Sequence, residues 1–232
     1  MTEETAGTLY VVATPIGNLA DISPRAIDTL KLVDTILCED TRHSSKLLQH
    51  FAITTPLKSY HDHNEQQRTS EVIESLVSGR RSLALISDAG TPTISDPGYR
   101  IVRACRQAGV KVITIPGPSA AIAALAISGL PTDRFIFEGF VPQKSGRRLS
   151  ALSEALTSGY TVIFYESPFR IIKTLGTICE VNPQANVFVG RELSKKFEES
   201  WFGSAEQVAS ELDKKGSIKG EFVLIVNGRE LD

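Results

Sequence analysis

Short apolar runs punctuated by glycine, proline and acidic residues recur along the first half of the chain. Residues 9–13, 35–38, 57–60, 83–86 and 112–115 are each long enough for one buried strand and too short for a buried helix. Between them the apolar positions fall at helical intervals. Ser23 followed by Pro24 marks a helix start, and Ile27, Leu30 and Val33 share a face of that helix. A brief helix is predicted over 44–51. Asn64 is placed to cap a helix that runs to Val77 and stops at Gly79, and another over 99–108 closes at Gly109. Alternating strand, loop and helix is the pattern of a parallel sheet covered by helices on both faces.

The texture changes after an alanine-rich helix over 120–127 and a linker over 129–133. Strand candidates at 135–137, 161–165, 187–189, 200–202 and 222–226 are rich in aromatic and β-branched residues. Helices are predicted over 148–156, over 168–181 with Ser167 as cap, and over 205–214, where Ser204 and Gln207 form a capping box. Residues 198–203 follow a strand closely enough to pair with it as a hairpin, which makes this second sheet mixed. The expectation is two unlike α/β domains, 1–117 and 118–232, the first with a mostly parallel sheet and the second with a mixed one.

The stretch after the fourth run, Ser87 to Gly98, concentrates two glycines, two prolines and two aspartates in a loop that is neither helix nor strand. Its prolines fix φ, and its small residues let a ligand approach the backbone. A loop between the carboxyl end of a parallel strand and the next helix is where open α/β sheets bind ligands. An ordinary surface turn is the other reading of the same pattern. No Gly-x-Gly-x-x-Gly follows the first strand and no phosphate-loop lysine motif occurs, so a dinucleotide site of that kind is not expected.

Composition narrows the field. The chain has 232 residues, 41% hydrophobic and 22% charged, with a net charge of −2, so bulk charge does not attract nucleic acid and any RNA contact needs a local basic patch. Cys38, Cys105 and Cys179 lie far apart, which suggests reduced core residues of a cytoplasmic protein rather than a disulfide frame or zinc site. Residues 1–7 are acidic and lack the apolar core of a signal sequence, and the run 120–127 is far short of a membrane span.

The segments TPIGNLADIS (14–23), CEDTR (38–42), HDHNE (61–65), SDAGTPTISDPG (87–98), PGPSA (116–120), FYESPFR (164–170), RELSKKFEE (191–199) and KGEFVLIV (219–226) occur in an order that resembles the tetrapyrrole-methylase superfamily. More narrowly they resemble its RNA branch, which methylates the ribose 2′-hydroxyl of a cytidine in small-subunit ribosomal RNA. The resemblance implies S-adenosylmethionine in a cleft between two unlike α/β domains, and a homodimer. It implies that the loop Asp88 to Asp96 lies along the cofactor, with Ala89, Gly90, Thr91 and Ile94 nearest and Ser95 beside them. Ser119 and Ala120 begin a helix whose amides suit a carboxylate. Tyr165 and Glu166 would face the cofactor, and Leu193 and Phe222 would border the adenine. A simple N-cap is the alternative for Ser119, and core packing the alternative for Tyr165 and Phe222. Proteins of this branch often carry a further helical segment that supports RNA binding, and the sequence ends at Asp232.

Charged clusters close three strands. Glu39 and Asp40 on one, and Glu192 on another, are the carboxylates expected to take a proton from the acceptor hydroxyl, with a neutral Lys195 as the alternative. Capping of the following helix is the competing role for such carboxylates. Arg42, Arg191 and Lys195 are phosphate candidates, and Lys144, Arg147 and Arg148 form a basic loop suited to an RNA backbone or to plain solvation. His61 and His63 lack a third spaced ligand, so no metal is expected. Rival functions are a precorrin-type C-methyltransferase of the same fold and a cofactor-binding assembly or regulatory protein without turnover.

Overall fold

The computed structural model describes residues 7–216 and 218–229, so residues 1–6, on which the reading of no signal sequence mostly rests, lie outside the described residues. The chain divides into two compact units, with the break between Ser119 and Ala120.

The first unit follows the alternation of its sequence: β1 (Thr8–Val12), α1 (Pro24–Leu32), β2 (Thr35–Cys38), α2 (Thr41–His50), β3 (Leu57–Ser59), α3 (Glu65–Val77), β4 (Ser82–Leu85), α4 (Tyr99–Gln107) and β5 (Lys111–Ile115). The strands form one parallel sheet in the order β3-β2-β4-β1-β5. Successive strand residues point to opposite faces, and both faces are buried. Ile36, Cys38, Ala84 and Ile86 pack with Ala26, Leu30 and Leu48 of α1 and α2. Leu37, Leu83 and Leu85 pack on the other side with Val72, Leu76, Ile101 and Cys105 of α3 and α4. From β1 the chain crosses to β2 on one side, and from β4 it crosses to β5 on the other. The strand order therefore reverses between β1 and β4, and the loops leaving these neighbours share the sheet's switch point.

The Ser23 hydroxyl accepts the Ala26 amide and Pro24 opens α1, as the sequence predicts. Two helix starts differ. Asp40 caps α2, which therefore begins three residues before the predicted position 44. Asn64 sits at the start of α3 but makes no side-chain cap; its amide group is turned back on the His61 amide and the Ser59 carbonyl.

The second unit comprises α5 (Ala120–Ile127), β6 (Phe135–Phe140), α6 (Ser145–Thr157), β7 (Thr161–Glu166), α7 (Ile171–Val181), β8 (Asn186–Arg191), β9 (Glu199–Ser204), α8 (Ala205–Asp213) and β10 (Phe222–Asn227). Its sheet, in the order β6-β7-β10-β8-β9, is mixed: β6 and β7 are parallel and the other pairs antiparallel, including the expected β8–β9 hairpin. Helices α6, α7 and α8 cover one face through Leu152, Leu175 and Val208, and α5 covers the other through Ala121, Ala124 and Leu125. The segment expected as a linker is part of this unit, since Leu130 is buried beside α5. The capping box of Ser204 and Gln207 is present at α8. Helix α7 starts at Ile171 rather than 168, because Ser167 to Arg170 forms a turn of its own.

Candidate functional site

At the switch point the two loops are joined. The Thr14 amide donates to the Gly90 carbonyl (2.8 Å), the Gly90 amide donates back to the Thr14 carbonyl (3.1 Å), and the Thr14 hydroxyl donates to the Ser87 carbonyl (3.1 Å). The Thr91 hydroxyl reaches the Pro118 carbonyl (3.1 Å), tying in the third loop, which ends at Ser119. Gly90 has φ +86°, a conformation that disfavours any side chain, and an added Cβ would lie 3.4 Å from Ile16 and 3.7 Å from the Pro118 carbonyl. Thr93 and Ser95 are held at φ +76° and +61°. A β-branched residue in that region is a true outlier, and such strain concentrates at ligand-binding loops. Ile94 between them is exposed.

Carboxylates from three neighbouring strand ends converge beside this loop. Asp88 accepts the Asp40 amide (3.3 Å). Burial, then the charges of Asp88 and Asp62, raise the proton affinity of Glu39. Asp96 is pushed up to about 6, chiefly by burial; a Ser87 hydrogen bond opposes the rise, while Glu39, Asp88 and Asp62 add to it. Asp40 behaves in the opposite way. Hydrogen bonds from the Arg42 side chain and amide hold it at about 2, and its two oxygens grip the exposed Arg42 guanidinium at 3.3 and 3.0 Å. Asp40 thus caps α2 and pairs with Arg42, whose guanidinium is largely exposed. His61 and His63 stack edge to face with centroids 5.9 Å apart, and among the described residues no group of three His, Cys, Asp or Glu side chains suits a metal ion.

In the second unit, Lys195 lies between Glu192 (2.9 Å) and Glu221 (2.8 Å). Burial works against its charge, but these two hydrogen bonds prevail and raise its proton affinity, so Lys195 is a cation and not a neutral base. Burial likewise raises Glu192, and the Lys195 side chain and Glu221 amide outweigh it, leaving the carboxyl below its ordinary range. Glu192 and Ser194, at φ +50° and +67°, shape the turn around this cluster. Arg191 donates to the Lys219 carbonyl (2.6 Å) and Glu199 (2.5 Å), which occupies the guanidinium expected to meet a phosphate.

Glu166 and Arg148 sit elsewhere than the sequence suggests, and Phe222 follows its alternative reading, core packing. Glu166 does not face outward: its buried carboxylate accepts from the Ser167 amide (2.7 Å), the Thr174 hydroxyl (2.7 Å) and Arg170 (2.6 Å). Phe222 is 2% exposed and packs in the core beneath α6 to α8, on the sheet face opposite Tyr165 and Leu193. Arg148 is 4% exposed, because the predicted basic loop is the first turn of α6; its guanidinium donates to Thr177 and the Gln143 carbonyl. Lys144 and Arg147 remain on the surface.

The model of the Tetrapyrrole (Corrin/Porphyrin) Methylases matches residues 8–209. The chain belongs to this family. It is 50% identical over 223 residues to a Synechocystis protein named Ribosomal RNA small subunit methyltransferase I, covering 96% of this chain and 79% of that relative. A Vibrio cholerae protein of the same name is 51% identical over 225 residues, covering 96% of this chain and 78% of the relative. Among solved structures, a diphthine synthase superposes with a TM-score of 0.73 at 14% identity, covering 97% of this chain and 91% of that one. The methyltransferase CobJ superposes with a TM-score of 0.68 at 17% identity, covering 98% of each. At those identities the likeness shows the tetrapyrrole-methylase fold.

Within the family fold, sequence reading underrated two residues. Asp62 was legible only as part of a histidine-rich strand end, yet its charge reaches both Glu39 and Asp96. Asp96 was expected only to line the cofactor, and no sequence signal tells a half-buried loop aspartate with raised proton affinity from a solvated one. Among the described residues no helix is long and apolar enough to cross a membrane.

Proposed function

We propose that the chain is a cytoplasmic, homodimeric methyltransferase that uses S-adenosylmethionine to methylate the ribose 2′-hydroxyl of a cytidine in small-subunit ribosomal RNA. The observation that carries this reading is identity of about half over nearly the whole chain to relatives named for methylation of small-subunit ribosomal RNA. The joined loops fit the cofactor. Gly90 leaves open the space a side chain would fill, and the strained 93–95 segment exposes Ile94 as an apolar surface suited to a purine. Asp88, Ala89, Gly90, Thr91 and Ile94 would hold it, with the Ser119 and Ala120 amides toward its carboxylate.

When bound, S-adenosylmethionine supplies an activated methyl group, so the protein's task is mainly placement of the acceptor oxygen. Of the four candidate bases, Asp40, Glu192 and Lys195 are committed to ion pairs, whereas no ion pair holds Glu39 among the described residues. Its raised proton affinity brings it nearer working pH, where a general base is most effective. In this reading Glu39 accepts the hydroxyl proton, which its raised proton affinity and lack of an ion pair among the described residues support.

A radiolabelled methyl-transfer assay with assembled small subunits, naked ribosomal RNA and precorrin-type acceptors tests this reading. Label should appear in the ribose of a cytidine, and most strongly in the subunit, because a chain of net charge −2 must recognise shape. Label in the tetrapyrrole alone would refute it. Light scattering should give twice the chain mass.

A further inference from the structure

One surface of the second unit is left unused by this reading. Phe169 is 93% exposed, at the tip of the turn between β7 and α7. Large apolar side chains at such exposure usually sit on mobile loops, but this turn is pinned from beneath. The buried Glu166 carboxylate holds the Ser167 amide and Arg170, and the Arg170 guanidinium also donates to the Ser167 hydroxyl (3.2 Å) and the Val141 carbonyl (3.0 Å). The Val141 bond fastens the turn to the segment leaving β6. Because β6 and β7 are parallel neighbours, both segments emerge at the same end of the sheet.

A second aromatic group lies on the adjacent strand. A register shift between Phe137 and Gly139, with Gly139 at φ +74°, inserts an extra residue into β6. Without it Phe137 and Phe140 would point to opposite faces. With it both rings pack edge to face on Tyr165, at 5.0 and 5.6 Å, and Phe140 stays 59% exposed. Exposed Lys144 and Arg147 follow a few residues on, while Glu166 at the base of the turn is buried and paired with Arg170; the bulge itself carries one exposed acid, Glu138.

We propose that Phe169, presented on a turn fastened at Val141 to the segment that carries Phe140 and the basic pair Lys144 and Arg147, stacks on an unpaired base of the RNA substrate. The occupant is single-stranded RNA because the patch combines what such a ligand offers: flat π-faces for the rings and phosphates for the cations. A rigid presenting loop lowers the ordering cost of that contact. The inference rests on the RNA-methyltransferase reading, which it deepens.

The test compares the parent chain with Phe169→Ala and Phe169→Trp, both expected to melt like the parent because the side chain is in solvent. Binding of a short unstructured oligocytidylate is followed by fluorescence anisotropy. Phe169→Ala should bind roughly 10- to 100-fold more weakly, the usual loss for one stacked base, while Phe169→Trp binds at least as well as the parent. The salt dependence of binding should stay unchanged, since no phosphate contact is removed, and so should S-adenosylmethionine affinity. On assembled subunits the loss should appear in KM. Parent-like RNA affinity in Phe169→Ala overturns the inference. So does a fall of that variant to half the parent's mass in light scattering, which would mean that a second copy covers the patch. Failure of the underlying reading looks different: the parent would then methylate no RNA at all, and the oligonucleotide titration would still decide whether Phe169 stacks.

Discussion

Replacing Asp96 with Asn should stabilise the protein at neutral and alkaline pH. Burial and three neighbouring carboxylates lift this group from an ordinary 3.8 to about 6, so the folded state favours its neutral form. Such a displacement corresponds to at most about 3 kcal/mol of folding free energy forfeited once the group ionises. The sign follows from proton counting. Between pH 4 and 6 the folded chain binds more protons at this site than the unfolded chain, so stability falls as pH rises through that window and the full cost is present above it. Asn keeps an oxygen for the Ser87 hydrogen bond and carries no charge. Asp96→Asn should therefore gain on the order of 2–3 kcal/mol at pH 8, and the gain should roughly halve by pH 5, where the parent is already largely protonated. For a chain of this size that is about 5–10 °C in Tm at pH 8. Urea unfolding at both pH values is the assay. Glu39→Gln should recover part of the same gain, because Glu39 is one of the charges pressing on Asp96, and the double variant should be less than additive. A gain at pH 5 equal to that at pH 8, or none at either, would show that Asp96 is not held neutral by its surroundings.

Glu39→Gln should lower single-turnover methyl transfer to assembled subunits by about 10²–10⁴-fold with S-adenosylmethionine affinity retained; a near-normal rate would leave placement alone to carry the reaction. In the parent, that rate should decline on acidification at a pH above the ordinary glutamate range, since burial raises the Glu39 carboxyl, and Asp40→Asn should keep the same limb. Gly90→Val should abolish cofactor binding in calorimetry, because a β-branched residue is strained at φ +86° and its methyls would meet Ile16 and Pro118; heat of binding matching the parent's would remove the loop from the site. Glu166→Ala should cost about 3–5 kcal/mol in urea unfolding by stranding Arg170, and a loss below about 1 kcal/mol would contradict the pinned turn.

Local chemistry made much of the fold readable. The Ser23-Pro24 start, the Ser204 and Gln207 box and the short apolar runs each act through neighbours in sequence, and each stands where the pattern places it. What the sequence concealed depends on partners distant in the chain. Arg148 is drawn inside by Thr177, 29 residues away, and Lys195 is claimed by Glu221, 26 residues away. Among the proton acceptors this holds for Glu39, whose proton affinity is raised by burial and by Asp88 from another strand end. Asp40 and Glu192 are engaged by near neighbours, Arg42 and Lys195, but sequence alone does not show that these pairs close. The bulge beside Gly139 is likewise invisible until β7 supplies the register against which β6 is counted.

The reciprocal pairing of Thr14 with Gly90 has a dynamic corollary. Two loops that leave different strands, 76 residues apart in sequence, cannot open separately without breaking both hydrogen bonds. They therefore fluctuate as one cooperative segment, and native-state exchange of the Thr14 and Gly90 amides should follow a single opening event. Any ligand that lowers the frequency of that event at one loop slows it equally at the other, so the TPIG turn reports on events at the SDAGTP turn.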